Sequence, residues 1–118
     1  MNTKINYLYR DADNYKVHNV CVVEGTLTKQ QIKGIIDCCN DGEYFIPRQI
    51  GLPEKRFDSY DPAVDHCWFE IDESCFEQTA SPSNIAMTAQ QLMEQFAVCK
   101  NNWDDRELKM KPMEGMQL

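Results

Sequence analysis

The sequence predicts an α+β fold, with a mainly antiparallel sheet of about four strands and two helices packed on one face, in the order ββαββα. Short segments that alternate apolar and polar residues indicate half-buried strands. Two other segments have helical periodicity, and each begins with a capping motif. Neither the link between the first two strands nor the segment after residue 42 contains the helical crossover that parallel pairing requires. Because 118 residues suit one domain, we expect a single domain over residues 1–104 and a frayed tail over 105–118.

The first two predicted strands form a hairpin. In residues 4–10, "KINYLYR", Ile5, Tyr7 and Tyr9 alternate with the other side chains, which places these three on one face of a strand. The turn-forming residues "DADN" follow, and a second strand rich in β-branched residues is predicted over 16–24.

The first predicted helix follows in "LTKQQIKGIIDCCNDG". Thr28 at the N-cap and Gln31 three residues later form a capping box, and Leu27 with Ile32 forms a hydrophobic staple. The helix should end at 40–42, where an asparagine and a glycine occur. Its expected buried stripe has the spacing i, i+3, i+4, i+7, and comprises Ile32, Ile35, Ile36 and Cys39.

Two further strands are predicted, at 43–50 and at 66–72. Pro47 interrupts the first of them, so this strand should lie at an edge of the sheet or contain a bulge. Strict alternation predicts that Phe45 and Trp68 point to the outer face. There they either form a patch for a protein partner or are buried under the long 51–65 connection. The inward set is then Tyr44, Ile46, Ile50, Cys67, Phe69 and Ile71. Residues 73–84 are predicted to be a loop.

The second predicted helix repeats the start of the first. Thr88 and Gln91 form its capping box, and Met87 with Leu92 forms its staple. The expected apolar stripe comprises Ala89, Leu92, Phe96 and Cys99, widened by Met93 and Val98. The helix could continue to about Lys111, where Pro112 should break it.

Negative charge is concentrated in the second half of the chain. The net charge is −7, and residues 1–60 carry eight basic and eight acidic side chains, whereas residues 61–118 carry four and eleven. Such a surface repels phosphate backbones and anionic lipid, so direct nucleic-acid binding and membrane-surface binding are disfavoured. A basic protein partner or a divalent cation would be attracted. In the simplest interpretation, the charge only keeps the protein soluble.

The six cysteines are expected to be free thiols in a cytoplasmic protein. The chain opens without a signal-like segment, and it has no apolar run near the roughly 18–20 residues of a membrane span. The cysteine positions contain no Cys-x-x-Cys pair, so neither a structural zinc site nor any other cofactor is predicted. Cys38 and Cys39 lie about 100° apart on the helix, so only Cys39 shares the apolar stripe and Cys38 is the candidate reactive thiol.

His66 and Cys67 are adjacent in "YDPAVDHCWFEIDESC". On a strand, neighbouring side chains point to opposite faces, so the imidazole of His66 cannot activate the thiol of Cys67. Cys67 is instead predicted to be a buried core residue.

An acidic segment precedes this strand and supplies the candidate metal ligands. Asp58, Asp61, Asp65 and His66 offer oxygen and nitrogen atoms within nine residues, although their spacing matches no calcium loop. A site built on Asp61, Asp65 and His66 is therefore an alternative to an acidic loop that simply faces solvent.

Parts of the sequence resemble a family of small bacterial proteins of no known activity that are associated with mobile genetic elements. The similar segments are "YLYRDADNYKVHN", "DGEYFIPRQIGLPEKRFD" and "DHCWFEI", and they cover most of residues 5–72. The resemblance implies a bacterial cytosolic setting and an accessory role in the contest between such an element and its host. It implies no functional residues.

Three functions remain open at this level. The first is a non-enzymatic protein-binding module, or an accessory or inhibitor protein, that takes a basic partner and could imitate the charge of nucleic acid. Its candidate binding residues are Phe45, Trp68, Asp58, Asp61, Asp65 and Glu70. The second is a metal-binding protein or metal-assisted hydrolase, and the third is a thiol redox protein that uses Cys38. The sequence predicts no oligomeric state.

Overall fold

A computed structural model describes residues 1–11, 13–56 and 66–105. The α+β prediction is confirmed, since the described chain forms a five-stranded antiparallel sheet and two helices. The elements in chain order are β1 (Asn2–Arg10), β2 (Lys16–Val23), α1 (Lys29–Asp37), β3 (Tyr44–Phe45), β4 (Phe69–Glu70), β5 (Phe76–Thr79) and α2 (Ala89–Cys99). The path across the sheet is β2-β1-β4-β3, and β5 also pairs with β1.

The predicted hairpin of β1 and β2 is confirmed and forms the largest part of the sheet. Its register pairs Thr3 with Val23 at one end and Arg10 with Lys16 at the other. Burial alternates along β1, where Ile5, Tyr7 and Tyr9 are at most 2% exposed. The hairpin therefore has a core face and an outer face.

The other edge of β1 is shared by two short strands. Near its end, Tyr9 lies opposite Phe69 of β4, and near its start Asn2 to Ile5 pair with β5. A 3-10 helix, Glu73–Cys75, separates β4 from β5. The prediction of a loop over 73–84 is thus wrong for residues 73–79. The segment "FEQT" has only one apolar residue, so its pairing depends on the exposed backbone of β1 rather than on its own pattern.

The predicted strand over 43–50 is wrong beyond its first residues. Only β3 pairs with the sheet, and a 3-10 helix, Pro47–Ile50, follows it. Pro47 occupies the first turn of this helix, where its fixed φ is favourable and its missing N–H costs nothing. Gly51 ends the helix with a φ of 83°, in the left-handed region that favours glycine.

The predicted strand over 66–72 is paired only at β4, yet its side chains alternate as expected. Cys67, Phe69 and Ile71 are at most 3% exposed, whereas His66 is exposed and Trp68 is half-buried. The alternation of faces therefore extends beyond the two paired residues.

Both helices begin as the capping boxes predict. The side chains of Thr28 and Thr88 each accept a hydrogen bond from the backbone N–H of the glutamine three residues later, at 3.1 Å. In α2 the predicted stripe is buried, but Val98 is 68% exposed and does not widen it. The predicted extension of α2 is wrong through residue 105, because the helix ends at Cys99 and Asn101 has a φ of 63°. The rest of the predicted tail lies outside the described residues.

The core lies between the sheet and both helices. Both helical segments contribute to the buried cluster that includes the inner face of β1. The contributing residues are Ile35 of α1, Cys39 just after α1, and Leu92 and Phe96 of α2. Both helices thus pack on one face, as predicted, while the opposite face of the hairpin carries exposed side chains such as Asn6 and Val20. Within the described part of the chain, no helix has the length and apolar character needed to cross a membrane.

We expect Thr28→Ala and Thr88→Ala each to lower the free energy of unfolding by about 1 kcal/mol, because each leaves helix N–H groups without their side-chain acceptor. Chemical denaturation followed by circular dichroism measures the change. Thr28→Ser and Thr88→Ser keep the hydroxyl oxygen and should lose far less. Equal losses for the serine and alanine variants would contradict the role of the caps.

Candidate functional site

A solvent-open cleft lies beside the β3–β4 edge of the sheet. It has a volume of about 390 Å³, and the described residues that line it are Asn40, Asp41, Tyr44, His66 and Trp68. Two segments contribute, namely the turn between α1 and β3 and the chain that leads into β4. The cleft therefore forms only where the chain has folded, because its two sides are more than twenty residues apart in sequence.

Hydrogen bonds hold the first side of the cleft in place. Asn40 donates its backbone N–H to the carbonyl of Tyr44 at 2.8 Å, and Tyr44 donates to the carbonyl of Asn40 at 3.0 Å. Between them, Asp41 and Gly42 have φ values of 55° and 70°, a left-handed conformation that aspartate tolerates better than most residues. Asp41 lies among the residues that line the cleft, and it also lines a neighbouring cavity together with Asn101 and Trp103.

Sheet register places Tyr44 on the outer face. Tyr44 lies opposite Glu70, and Glu70 lies opposite Leu8 of β1, so all three side chains share the face that the helices do not cover. Tyr44 was predicted to point inward, and this prediction is wrong. The neighbouring Phe45 takes the inward position instead.

Tyr9 contacts the second side of the cleft, which is formed by His66 and Trp68. Its hydroxyl donates to the backbone carbonyl of His66 at 2.7 Å, and its ring lies 5.2 Å from the imidazole. The Nδ1 atom of His66 accepts the backbone N–H of Trp68 at 3.1 Å. The imidazole and the indole are thus tied to one short segment and both line the cleft.

Carboxylates set the electrostatic potential near Tyr44. The charge of Glu43 is the main reason that the pKa of Tyr44 is raised, with contributions from burial and from the charges of Glu70 and Asp41. These negative charges disfavour the phenolate. The same potential would attract a cation to this edge of the sheet.

Glu70, a predicted binding residue, forms an ion pair on the outer face. The guanidinium of Arg10 donates to its carboxylate at 2.8 Å, and about a third of each side chain is exposed. This hydrogen bond to Glu70 is the main reason that the pKa of Arg10 is raised. Glu70 adjoins the cleft through Tyr44, but its own charge is partly neutralised by Arg10.

Phe45, also predicted as a binding residue, is a core residue, and that prediction is wrong. Its side chain is 0% exposed. Ring-to-ring contacts connect it with Tyr7, Phe69, Phe96 and Trp103, at centroid distances of 5.5, 6.4, 5.6 and 6.4 Å. The side-chain alternation was assigned with the wrong phase, because a two-residue strand before a proline has no period to read.

The candidate metal ligands of the acidic segment, apart from His66, fall in a part of the chain that the structure does not describe. Asp58, Asp61 and Asp65 lie outside the described residues. Among the residues that are described, no three histidine, cysteine, aspartate or glutamate side chains are grouped so that they could hold a metal ion. The site on Asp61, Asp65 and His66 stays a prediction.

His66 and Cys67 face opposite ways, as the alternation predicts. Cys67 is 2% exposed, and its thiol donates to the backbone carbonyl of Asp105 at 3.6 Å. Burial raises the pKa of this thiol. Since the Nδ1 atom of His66 is bonded to Trp68 on the other side, the two groups do not form a nucleophile–base pair.

Arg56 and Glu54 form an ion pair beside Phe69 of β4. Arg56 contacts the carboxylate of Glu54 at 2.5 Å, and its guanidinium lies 5.6 Å from the ring centre of Phe69 and 5.9 Å from that of Tyr9. Both ion-pair side chains are less than 15% exposed. The pair forms part of the packing and does not offer its positive charge to solvent.

The thiols differ in access, and this predicts an order of chemical labelling. Cys38 and Cys75 are half-buried, while burial raises the pKa of Cys21 to about 11 and that of Cys39 to about 12. We expect Cys38 and Cys75 to react first with a maleimide at about pH 8. Cys21 and Cys39 should react at least about tenfold more slowly. Peptide mapping by mass spectrometry measures the rates.

Equal rates at all cysteines would contradict this order. The pKa of Cys38 is also raised, because burial outweighs the opposing effect of the Lys100 charge. A raised pKa is the opposite of the depressed pKa that activates a redox thiol. Cys75 was not singled out from the sequence. Its partial exposure follows from the 3-10 helix before β5, which the loop prediction omitted.

Sequence reasoning also missed three of the residues that line the cleft. Asn40 and Asp41 were assigned only to the end of a helix, and Tyr44 was assigned to the core. The available signal was "NDGEY", in which left-handed turn residues precede an aromatic residue and an acidic one. Such a turn favours a tight return to the sheet edge, where side chains are exposed.

Comparisons with known proteins identify no relative: no protein-family model, no curated protein and no solved structure matches this chain.

Proposed function

We propose that the protein is a non-enzymatic binding module that takes a basic protein partner at the cleft beside β3 and β4. The observation that carries this proposal is the cleft itself, which Tyr44, Trp68 and Asp41 line. Aromatic side chains are enriched at the centres of protein interfaces, where they bury much apolar area at little cost in conformational entropy.

The surroundings of the cleft favour a protein surface rather than a small apolar ligand. Tyr44, Glu70, Leu8 and His18 lie in one row across four strands of the outer face. This face is not covered by either helix, because both helices join the core on the other side. A partner could therefore contact the cleft and the adjoining sheet together.

Charge supports a basic partner. The chain carries a net charge of −7, and the carboxylates of Glu43, Glu70 and Asp41 all raise the pKa of Tyr44 at the cleft. Two arginines of the described chain are engaged by Glu70 and Glu54. Direct binding of nucleic acid or of an anionic membrane is not part of the proposal, because like charges repel.

The arrangement of the polar groups supports binding rather than catalysis. His66 uses its Nδ1 atom for the backbone of Trp68, and the neighbouring thiol points into the core. Neither group is placed to activate the other.

The proposal extends to a biological role. A bacterial cytoplasmic protein with an acidic binding face could act as an accessory or inhibitor protein of a mobile element, by covering a basic surface that otherwise binds nucleic acid. The resemblance of residues 5–72 and the negative charge support this role.

Calorimetric titration of the full chain with a peptide of alternating arginine and glycine tests the proposal. We expect binding that weakens when the ionic strength rises from about 0.05 M to about 0.5 M, because salt screens the attraction. Tyr44→Ala should weaken it, whereas the matched variant Tyr15→Ala, which removes a tyrosine that is 66% exposed elsewhere, should not. Equal affinity in both variants would show that any attraction is due to net charge alone.

A further inference from the structure

We infer that the cleft accepts one cationic side chain of the partner, an arginine, which stacks against Tyr44 and Trp68 and pairs with Asp41. This inference rests on the proposed function, since it names the chemistry that the same site would recognise.

The shape and lining of the cleft suit a long side chain. Its volume of about 390 Å³ is at the lower end of the roughly 300–1,000 Å³ that is typical of ligand clefts. Among the described residues that line it are a tyrosine, a tryptophan and an aspartate. Aromatic walls with one carboxylate match a group that is flat, weakly hydrated and positively charged.

A guanidinium has all three properties. It stacks on aromatic rings, and its N–H groups pair with a carboxylate in a fixed geometry. Tryptophan is the strongest aromatic partner of a cation, and tyrosine also contributes. An ammonium is more strongly hydrated, so lysine would gain less from the rings.

The protein already contains the same combination at the border of its core. There Arg56 lies over the rings of Phe69 and Tyr9 and pairs with Glu54. The cleft offers a comparable set of groups on the surface, with Tyr44 and Trp68 as the rings and Asp41 as the acid. An arginine from another molecule would complete it.

The potential at the cleft has the required sign. The carboxylates near Tyr44 raise its pKa, and the negative potential that disfavours the phenolate favours a cation at the same place. The same potential would repel an anionic ligand.

Titration with arginine amide and citrulline amide separates charge from shape, because citrulline keeps the length and planarity of arginine but has no charge. The signal is the indole N–H resonance of Trp68 in the full chain, assigned with Trp68→Phe. The indole of Trp103 donates to the carbonyl of Cys38 at 2.9 Å and lines a neighbouring cavity that shares Asn40 and Asp41 with the cleft. A shift of the Trp103 resonance without a shift of the Trp68 resonance would place the ligand in that cavity and contradict the inference. We expect arginine amide to shift the Trp68 resonance saturably and citrulline amide to leave it unchanged. Equal shifts from both would overturn the inference.

Variants test the role of the carboxylate. Asp41→Asn keeps a residue that tolerates the left-handed φ of 55°, and it should weaken arginine binding about two- to fivefold, as for an exposed ion pair. Glu94→Gln makes the same change in net charge on the exposed side of α2 and should have no effect. Equal weakening by both variants would contradict a specific contact.

The outcomes for the inference and for the proposed function can be told apart. If the arginine–glycine peptide binds in a manner that depends on Tyr44, but citrulline amide shifts Trp68 as strongly as arginine amide does, the binding module stands and the arginine inference fails. If arginine amide binds and the peptide does not, the chemistry of the cleft stands and the protein-binding function fails.

Discussion

Phe45→Ala should lower the free energy of unfolding by about 3–5 kcal/mol, the range for removing a buried phenylalanine ring. The ring is 0% exposed and lies between the sheet, α2 and Trp103. Its loss leaves a cavity that rigid neighbours cannot fill. Urea denaturation followed by circular dichroism measures the change.

Two variants guard this measurement against misreading. Phe45→Leu removes less volume, so it should remain folded and lose less stability than Phe45→Ala. It allows the measurement even if Phe45→Ala does not fold. Val98→Ala truncates a side chain that is 68% exposed and should change the free energy of unfolding by less than about 0.5 kcal/mol. A loss for Phe45→Ala as small as that for Val98→Ala would mean that Phe45 lies on the surface.

Trp68→Ala should weaken binding of the arginine–glycine peptide at least about tenfold, which corresponds to about 1.4 kcal/mol. Trp68 is half-buried and lines the cleft, so the change removes a wall of the site without removing charge. Calorimetric titration at low ionic strength measures the affinity.

The ring itself, rather than the fold, should account for this loss. Trp68→Phe keeps an aromatic face and should retain most of the affinity. Urea denaturation should give similar midpoints for the wild type and Trp68→Phe. Undiminished peptide binding by Trp68→Ala would contradict a role for the cleft.

The elements that were correctly predicted depend on local chemistry. Thr28 and Thr88 start their helices through side-chain and backbone groups only three residues apart, so six or seven letters suffice to predict them. The alternation of β1 predicted its inward face correctly, because Ile5, Tyr7 and Tyr9 all indicate the same face. The strand β2 was predicted from its β-branched residues, and no phase was assigned to it.

The elements that were wrongly predicted depend on distant contacts. β3 has two residues, so no period tells which of Tyr44 and Phe45 points inward, and the packing of Phe96 and Trp103 decides it. β5 forms because the edge of β1 offers backbone groups for pairing. The segment "FEQT" has no alternation or β-branched enrichment that would predict a strand. The cleft joins 40–44 to 66–68, and such a juxtaposition cannot be read from either segment alone.

Basic ligands should bind at this cleft rather than wherever negative charge occurs. Backbone amide shifts, mapped during titration with the arginine–glycine peptide, distinguish the two. We expect shifts concentrated at 40–44 and 66–70. Shifts of similar size around Asp72, Glu73 and Glu77, which are exposed acids away from the cleft, would contradict binding at the cleft.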